Sequence, residues 1–179
     1  MSCITKLLEL KGDKEILPIC DDVVIEGGGN YKDYEYLIVF IRNGHRCGYV
    51  AVKEHEATRF LEEIQNEDNY SSYPDLSCHG GVSFFDNNHR AKDLLPFVCS
   101  DYWLGFDAAH SWDKECLETS KKYFPEFQDR IAELEDYYSE FSDLTSTHKS
   151  YEYMEKECFN IIEQLIAHNV EHAKNQKQE

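Results

Sequence analysis

CHGGVSFFDNNHRAKDLLPFVCSDYWLGFDAAHSWD, residues Cys78–Asp113, holds two short β-type runs, Val82–Phe85 and Tyr102–Phe106. His79, Gly80 and Gly81 precede the first run, and Asp107, His110 and Asp113 follow the second. Acids, imidazoles and paired glycines at strand ends are how many sites are built, because strands fix position and loops present groups. The blander reading is a hairpin with turn residues at its ends. If the two runs pair antiparallel, the start of one lies beside the end of the other. The HGG and GFDAAH turns then share one edge of a sheet.

Working outward, Tyr36–Ile41 and Cys47–Val52 form the clearest hairpin, with Asn43–Gly44 supplying the positive φ of a tight turn. Residues 16–26 are β-branched around Pro18 and predict an edge strand. Gly27–Gly29 is expected to be a loop, since no P-loop lysine or GxGxxG context follows. Residues 3–10 and 54–65 have helical apolar spacing, the latter through Phe60, Leu61 and Ile64, and Asn66–Pro74 is expected to be a surface loop. After Pro125, Phe127, Ile131, Leu134, Tyr138 and Phe141 make one apolar stripe; Tyr151, Met154, Cys158, Ile161 and Leu165 make another. The expected fold is a single α+β domain over 1–179. An antiparallel sheet of about four to six strands is covered by two C-terminal helices, and a polar tail begins near Ala173.

Composition narrows the function classes. Thirty-five acids against 18 bases give a formal charge of −17, which disfavours non-specific nucleic-acid binding. Seven cysteines without a CxxC pair point to a reducing compartment and to neither a zinc ribbon nor a thioredoxin-type site. The longest strongly apolar run, Tyr36–Ile41, is too short to span a bilayer, and the N-terminus lacks a signal peptide's apolar core. A protein of the cytoplasm with no membrane partner is expected.

Four pieces occur in order: GYVAVKEH (Gly48–His55), HGGVSF (His79–Phe84), WLGFDAAHSWD (Trp103–Asp113) and YEYMEKECFNIIEQL (Tyr151–Leu165). This set resembles a family of small phage and prophage proteins with the pattern GYVxVxxxH, HGG before a strand, GFDxxHxxD, and a C-terminal helix ending QL. The likeness spans roughly residues 41–166. The family often has Cys after GFD and Gly before the last Asp; Ala108 and Trp112 stand there in this chain. A thiol at 108 is therefore no part of the chemistry. The resemblance implies a phage or mobile-element origin, hence a host-cell cytoplasm, and names no activity.

Three functions follow as expectations. In the first, a non-enzymatic phage counter-defence protein sequesters a small nucleotide-derived signal of the cyclic nucleotide or cyclic ADP-ribose type. Its pocket takes His79, Gly80, Gly81, Phe84, Arg90, Trp103, Asp107, His110 and Asp113. Aromatic faces stack on a base, worth about 1–3 kcal/mol each. Gly80–Gly81 N–H groups and Arg90 meet phosphate, and Asp107 meets a ribose or base group. No catalytic residue and no cofactor are assigned, and oligomeric state stays open. In the second, acids at Glu126, Asp129, Glu133, Glu135, Asp136, Glu140 and Asp143 imitate a phosphate row and block a host defence protein, in the manner of an anti-CRISPR. In the third, Asp107, His110 and Asp113, one helical turn apart, join His79 around Zn²⁺, Mn²⁺ or Fe²⁺ in a hydrolase. Against these stands the plain reading of capping acids, backbone-bonded histidines, core aromatics and solvated helix faces.

Overall fold

The computed structural model describes residues 3–66, 74–86, 102–141 and 147–175. The elements run α1 (Cys3–Lys11), β1 (Leu17–Cys20), β2 (Val23–Tyr31), β3 (Tyr34–Ile41), β4 (His45–Val52) and α2 (Glu54–Asn66). They continue with β5 (Phe84–Asp86), β6 (Tyr102–Asp107), α3 (Leu117–Tyr123), a 3-10 turn at Pro125–Phe127, α4 (Gln128–Phe141) and α5 (Tyr151–Asn175). All six strands join one antiparallel sheet in the order β1-β2-β3-β4-β6-β5. The α+β class and the antiparallel sheet are as the sequence implies.

Alternation along the strands divides the core in two. Tyr36, Ile38, Val50, Leu104 and Phe106 face α5, whose Met154, Cys158, Ile161, Ile162 and Leu165 are fully buried against them. Burying each such aliphatic side chain contributes about 1.5–3 kcal/mol. Leu37, Val39, Tyr49 and Trp103 face the other way, toward Ile4 and Leu7 of α1. The sequence assigned two helices to one face. α5 alone takes the larger part, while α4 packs mainly against α3 and the 3-10 turn.

The Gly27–Gly29 run is a correction. It lies inside β2, paired with Leu37 and its neighbours beyond a bulge between Ile25 and Gly27. Glycine hides the apolar alternation that marks a strand, yet the strand needs it here: a Cβ on Gly27 would lie 2.6 Å from the Tyr151 hydroxyl. No helix among the described residues is long and apolar enough to cross a membrane.

Candidate functional site

At the outer edge of the sheet, β5 pairs with β6 so that Phe84 meets Gly105. The HGG turn and the segment after β6 are thereby brought to the same end, as the pairing argument requires. The Gly81 N–H donates to the Cys78 carbonyl at 3.0 Å, closing a turn whose third residue, Gly80, has φ +68°. A positive φ at that position is what a type II turn demands. On the other strand, the Asp113 N–H donates to the His110 carbonyl at 2.9 Å. Residues 110–113 are thus a β-turn rather than the helix assumed from the spacing, and it still brings His110 and Asp113 together.

Three side chains converge. His79 Nε2 lies 2.8 Å and His110 Nδ1 3.0 Å from the same oxygen, Asp113 Oδ2. The ligand-capable atoms of the three all lie within 4.8 Å of one another. The His110 backbone N–H also donates to Oδ2, at 3.2 Å. Burial by itself would raise the carboxyl of Asp113, whose side chain is 0 % exposed, but the hydrogen bonds from His79 and His110 together hold it below the usual range. An ionised carboxylate only accepts, so His79 Nε2 and His110 Nδ1 each carry a proton here. A neutral His79 then accepts at Nδ1 from the Tyr153 hydroxyl, 3.0 Å away.

The cluster is braced from α5 and from the centre of the sheet. The His79 N–H donates to Glu157 Oε2 at 2.8 Å. Lys149 Nζ sits 3.6 Å from Asp113 Oδ1, an oxygen with no hydrogen-bond partner among the described residues. The strand-like contact between Asp113 and Thr147 carries Lys149 into place. Arg46 fixes it there: Nη1 donates to the Lys149 carbonyl at 2.8 Å, while Nε and Nη2 clamp Glu26 at 2.7 and 2.8 Å. That ion pair is buried on both sides.

Other expected members fall elsewhere. Parity along β6 turns Trp103 and Asp107 away from Phe106, and Phe84, opposite Gly105, shares their face against Tyr49. Asp107 accepts from the Ser83 hydroxyl at 2.7 Å and from the Ala109 N–H at 3.0 Å, an Asx turn that leaves it out of the cluster. The pocket drawn from sequence is therefore divided by the sheet: Phe84, Trp103 and Asp107 on one side, His79, His110 and Asp113 on the other. The Gly81 N–H is spent within its own turn rather than offered to phosphate, and the open face of Gly80 is filled by the His110 ring. Arg90 lies outside the described residues. Of the acidic helix residues, Glu126, Asp129, Glu133, Glu135 and Asp136 are exposed, and Glu135 pairs with Lys121; the side chains of Glu140 and Asp143 lie outside the described residues.

Lys149, Tyr153 and Glu157 escaped the sequence reading. Tyr153, Glu157, Asn160 and Gln164 are spaced 4, 3, 4, the same period as the apolar stripe beside them. That second stripe was the available signal. A cleft of about 510 Å³ lined by Ile4, Leu8, Gly29 and Glu35 lies beside α1 and shares no residue with the cluster. No protein-family model, curated protein or solved structure matches this chain significantly.

Proposed function

We propose that this chain is a metal-dependent hydrolase whose single divalent transition ion is held by His79, His110 and Asp113. The observation that carries the reading is the meeting of two imidazole nitrogens and one carboxylate oxygen within 4.8 Å. A tetrahedral ion bonded at about 2.0–2.1 Å separates its ligands by about 3.3 Å. The two His–Asp separations, 2.8 and 3.0 Å, need to open by a few tenths of an ångström, and the two imidazole nitrogens lie within 4.8 Å of each other. Two histidines and one carboxylate are also a common donor set for Zn²⁺ or Fe²⁺, and three protein ligands leave a coordination position for water.

The support around the ligands fits the same reading. Metal-bound histidines give their second nitrogen to a hydrogen-bond partner. The Tyr153 hydroxyl, which both donates and accepts, serves His79 in either tautomer. An ion held by His79, His110 and Asp113 would supply a Lewis acid and an activated water for ester hydrolysis, with one proton released to solvent and one taken up by the leaving oxygen. Ligand sequestration, which the sequence favoured, has less support because Phe84, Trp103 and Asp107 lie on the other face.

Elemental analysis of the purified protein after incubation with Zn²⁺, Mn²⁺ or Fe²⁺ is the test. About one equivalent is expected, and it is lost in His110→Ala and Asp113→Asn. Metal-dependent cleavage of p-nitrophenyl acetate or phosphate esters is expected from the loaded wild type only. Trace uptake of all three ions overturns the centre. Stoichiometric uptake without turnover keeps the centre and returns the function to ligand capture.

A further inference from the structure

Among the described residues only three large apolar side chains are substantially exposed, and one of them, Trp112, stands against the cluster. The residue is 58 % exposed, and its indole stacks on the His110 ring, with centroids 4.7 Å apart and planes 7° from parallel. One face is thus covered by a proposed metal ligand, and the other is open. What sets Trp112 apart from Leu10 and Val170 is this stacking on a cluster histidine, which leaves an aromatic face beside the site for a second ring.

Resting on the metal reading above, we infer that the substrate is a nucleoside phosphate, its base stacked on Trp112 and its phosphate held between the metal and Lys149. The spacing selects the class. A ring on the outer face of Trp112 lies a further ~4.5–7 Å out, beyond the 4.7 Å that separates Trp112 from His110. An aromatic acid or simple aryl ester cannot reach across that gap while stacked. A base carrying its phosphate at the far end of a ribose can. The charge selects the phosphate. Lys149 and an ion on Oδ2 place two cations on opposite oxygens of one carboxylate. The ammonium has three donors; among the described residues Thr147 Oγ1 takes one at 3.2 Å and Asp113 Oδ1 lies 3.6 Å away, which leaves one for a phosphate oxygen. This local field runs against the −17 of the whole chain, which by itself repels phosphates.

Calorimetry of the zinc-loaded protein against 5′-AMP, ribose 5-phosphate and inorganic phosphate tests the inference. 5′-AMP is expected to bind about ten- to a hundred-fold tighter than ribose 5-phosphate, the increment of one base–aromatic stack. Trp112→Ala should erase that ratio, and Trp112→Phe should restore most of it, with zinc stoichiometry unchanged in both. Lys149→Met should weaken all three ligands in parallel. Equal affinity for 5′-AMP and ribose 5-phosphate in the wild type, or a ratio that survives Trp112→Ala, overturns the substrate class. The same titrations without zinc separate the two readings. Binding that is indifferent to zinc, with the Trp112-dependent ratio intact, removes the metal and keeps the nucleotide.

Discussion

Gly80 and Tyr153 each answer to one histidine. Gly80 holds a left-handed φ, and a Cβ there would overlap the His110 ring. Gly80→Ala therefore adds both backbone strain and a collision, for a loss of about 2–4 kcal/mol. Urea denaturation should show it, together with loss of metal uptake; wild-type stability in that variant would mean that His110 does not pack there. Tyr153 meets the His79 ring edge to face and bonds its Nδ1 through the hydroxyl, which burial and the nearby Glu157 and Asp113 carboxylates keep protonated. Tyr153→Phe removes one oxygen at a part-buried position and should leave the melting temperature almost unchanged. Metal affinity, read by competition with a chelator, should fall by about 10–100-fold. An unchanged affinity would leave Tyr153 a packing residue.

Among the elements, the strength of the sequence signal followed the periodicity. The β3–β4 hairpin, α2 and α5 announced themselves because their apolar residues repeat at 2 or 3.6. β2 did not, because three glycines carry no hydropathy. α3, LETSKKY, has no apolar stripe; it is held by the Ser120 hydroxyl donating to the Arg42 carbonyl at 2.9 Å and by its neighbours Cys116 and Phe124. In the site, His79, His110 and Asp113 were legible as strand-end residues. Their separation from Phe84, Trp103 and Asp107 needed the pairing register, which composition cannot supply. The Arg46–Glu26 pair was equally hidden, since a strand arginine looks solvated until its neighbours are known. Removing Arg46 alone leaves a buried carboxylate, so Arg46→Met should cost about 3–5 kcal/mol. The Arg46→Met, Glu26→Leu double variant should recover most of it by thermal melting. The double variant should still bind 5′-AMP more weakly, because Lys149, the proposed phosphate contact, has lost its brace. A single variant no less stable than the wild type would show that the pair is not desolvated.

For the whole molecule, charge is the dominant fact. With 35 acids against 18 bases, the net negative charge repels itself in the compact state more than in the unfolded chain. Salt screens this over about 10 Å at 0.1 M, while the buried Arg46–Glu26 pair is sheltered. Raising NaCl from about 10 mM to 500 mM should raise the melting temperature by a few degrees, as differential scanning fluorimetry would show. A fall would mean that exposed ion pairs such as Lys121–Glu135 outweigh the repulsion. The stripe of α5 has a last consequence, and it concerns inheritance. The Ser77 N–H donates to Gln164, the Ser77 carbonyl accepts from Asn160 and Gln164, and His79 is bound by Glu157 and Tyr153. Farther along, Asn169 reaches Glu56 and Tyr34. One residue inserted between Tyr153 and Asn169 rotates everything beyond it by about 100° relative to everything before it, so the bonds on the two sides of the insertion can no longer all be made at once. Descendants of this sequence can lengthen or shorten the tail beyond Asn169, but between those two residues the helix can change its letters and not its length.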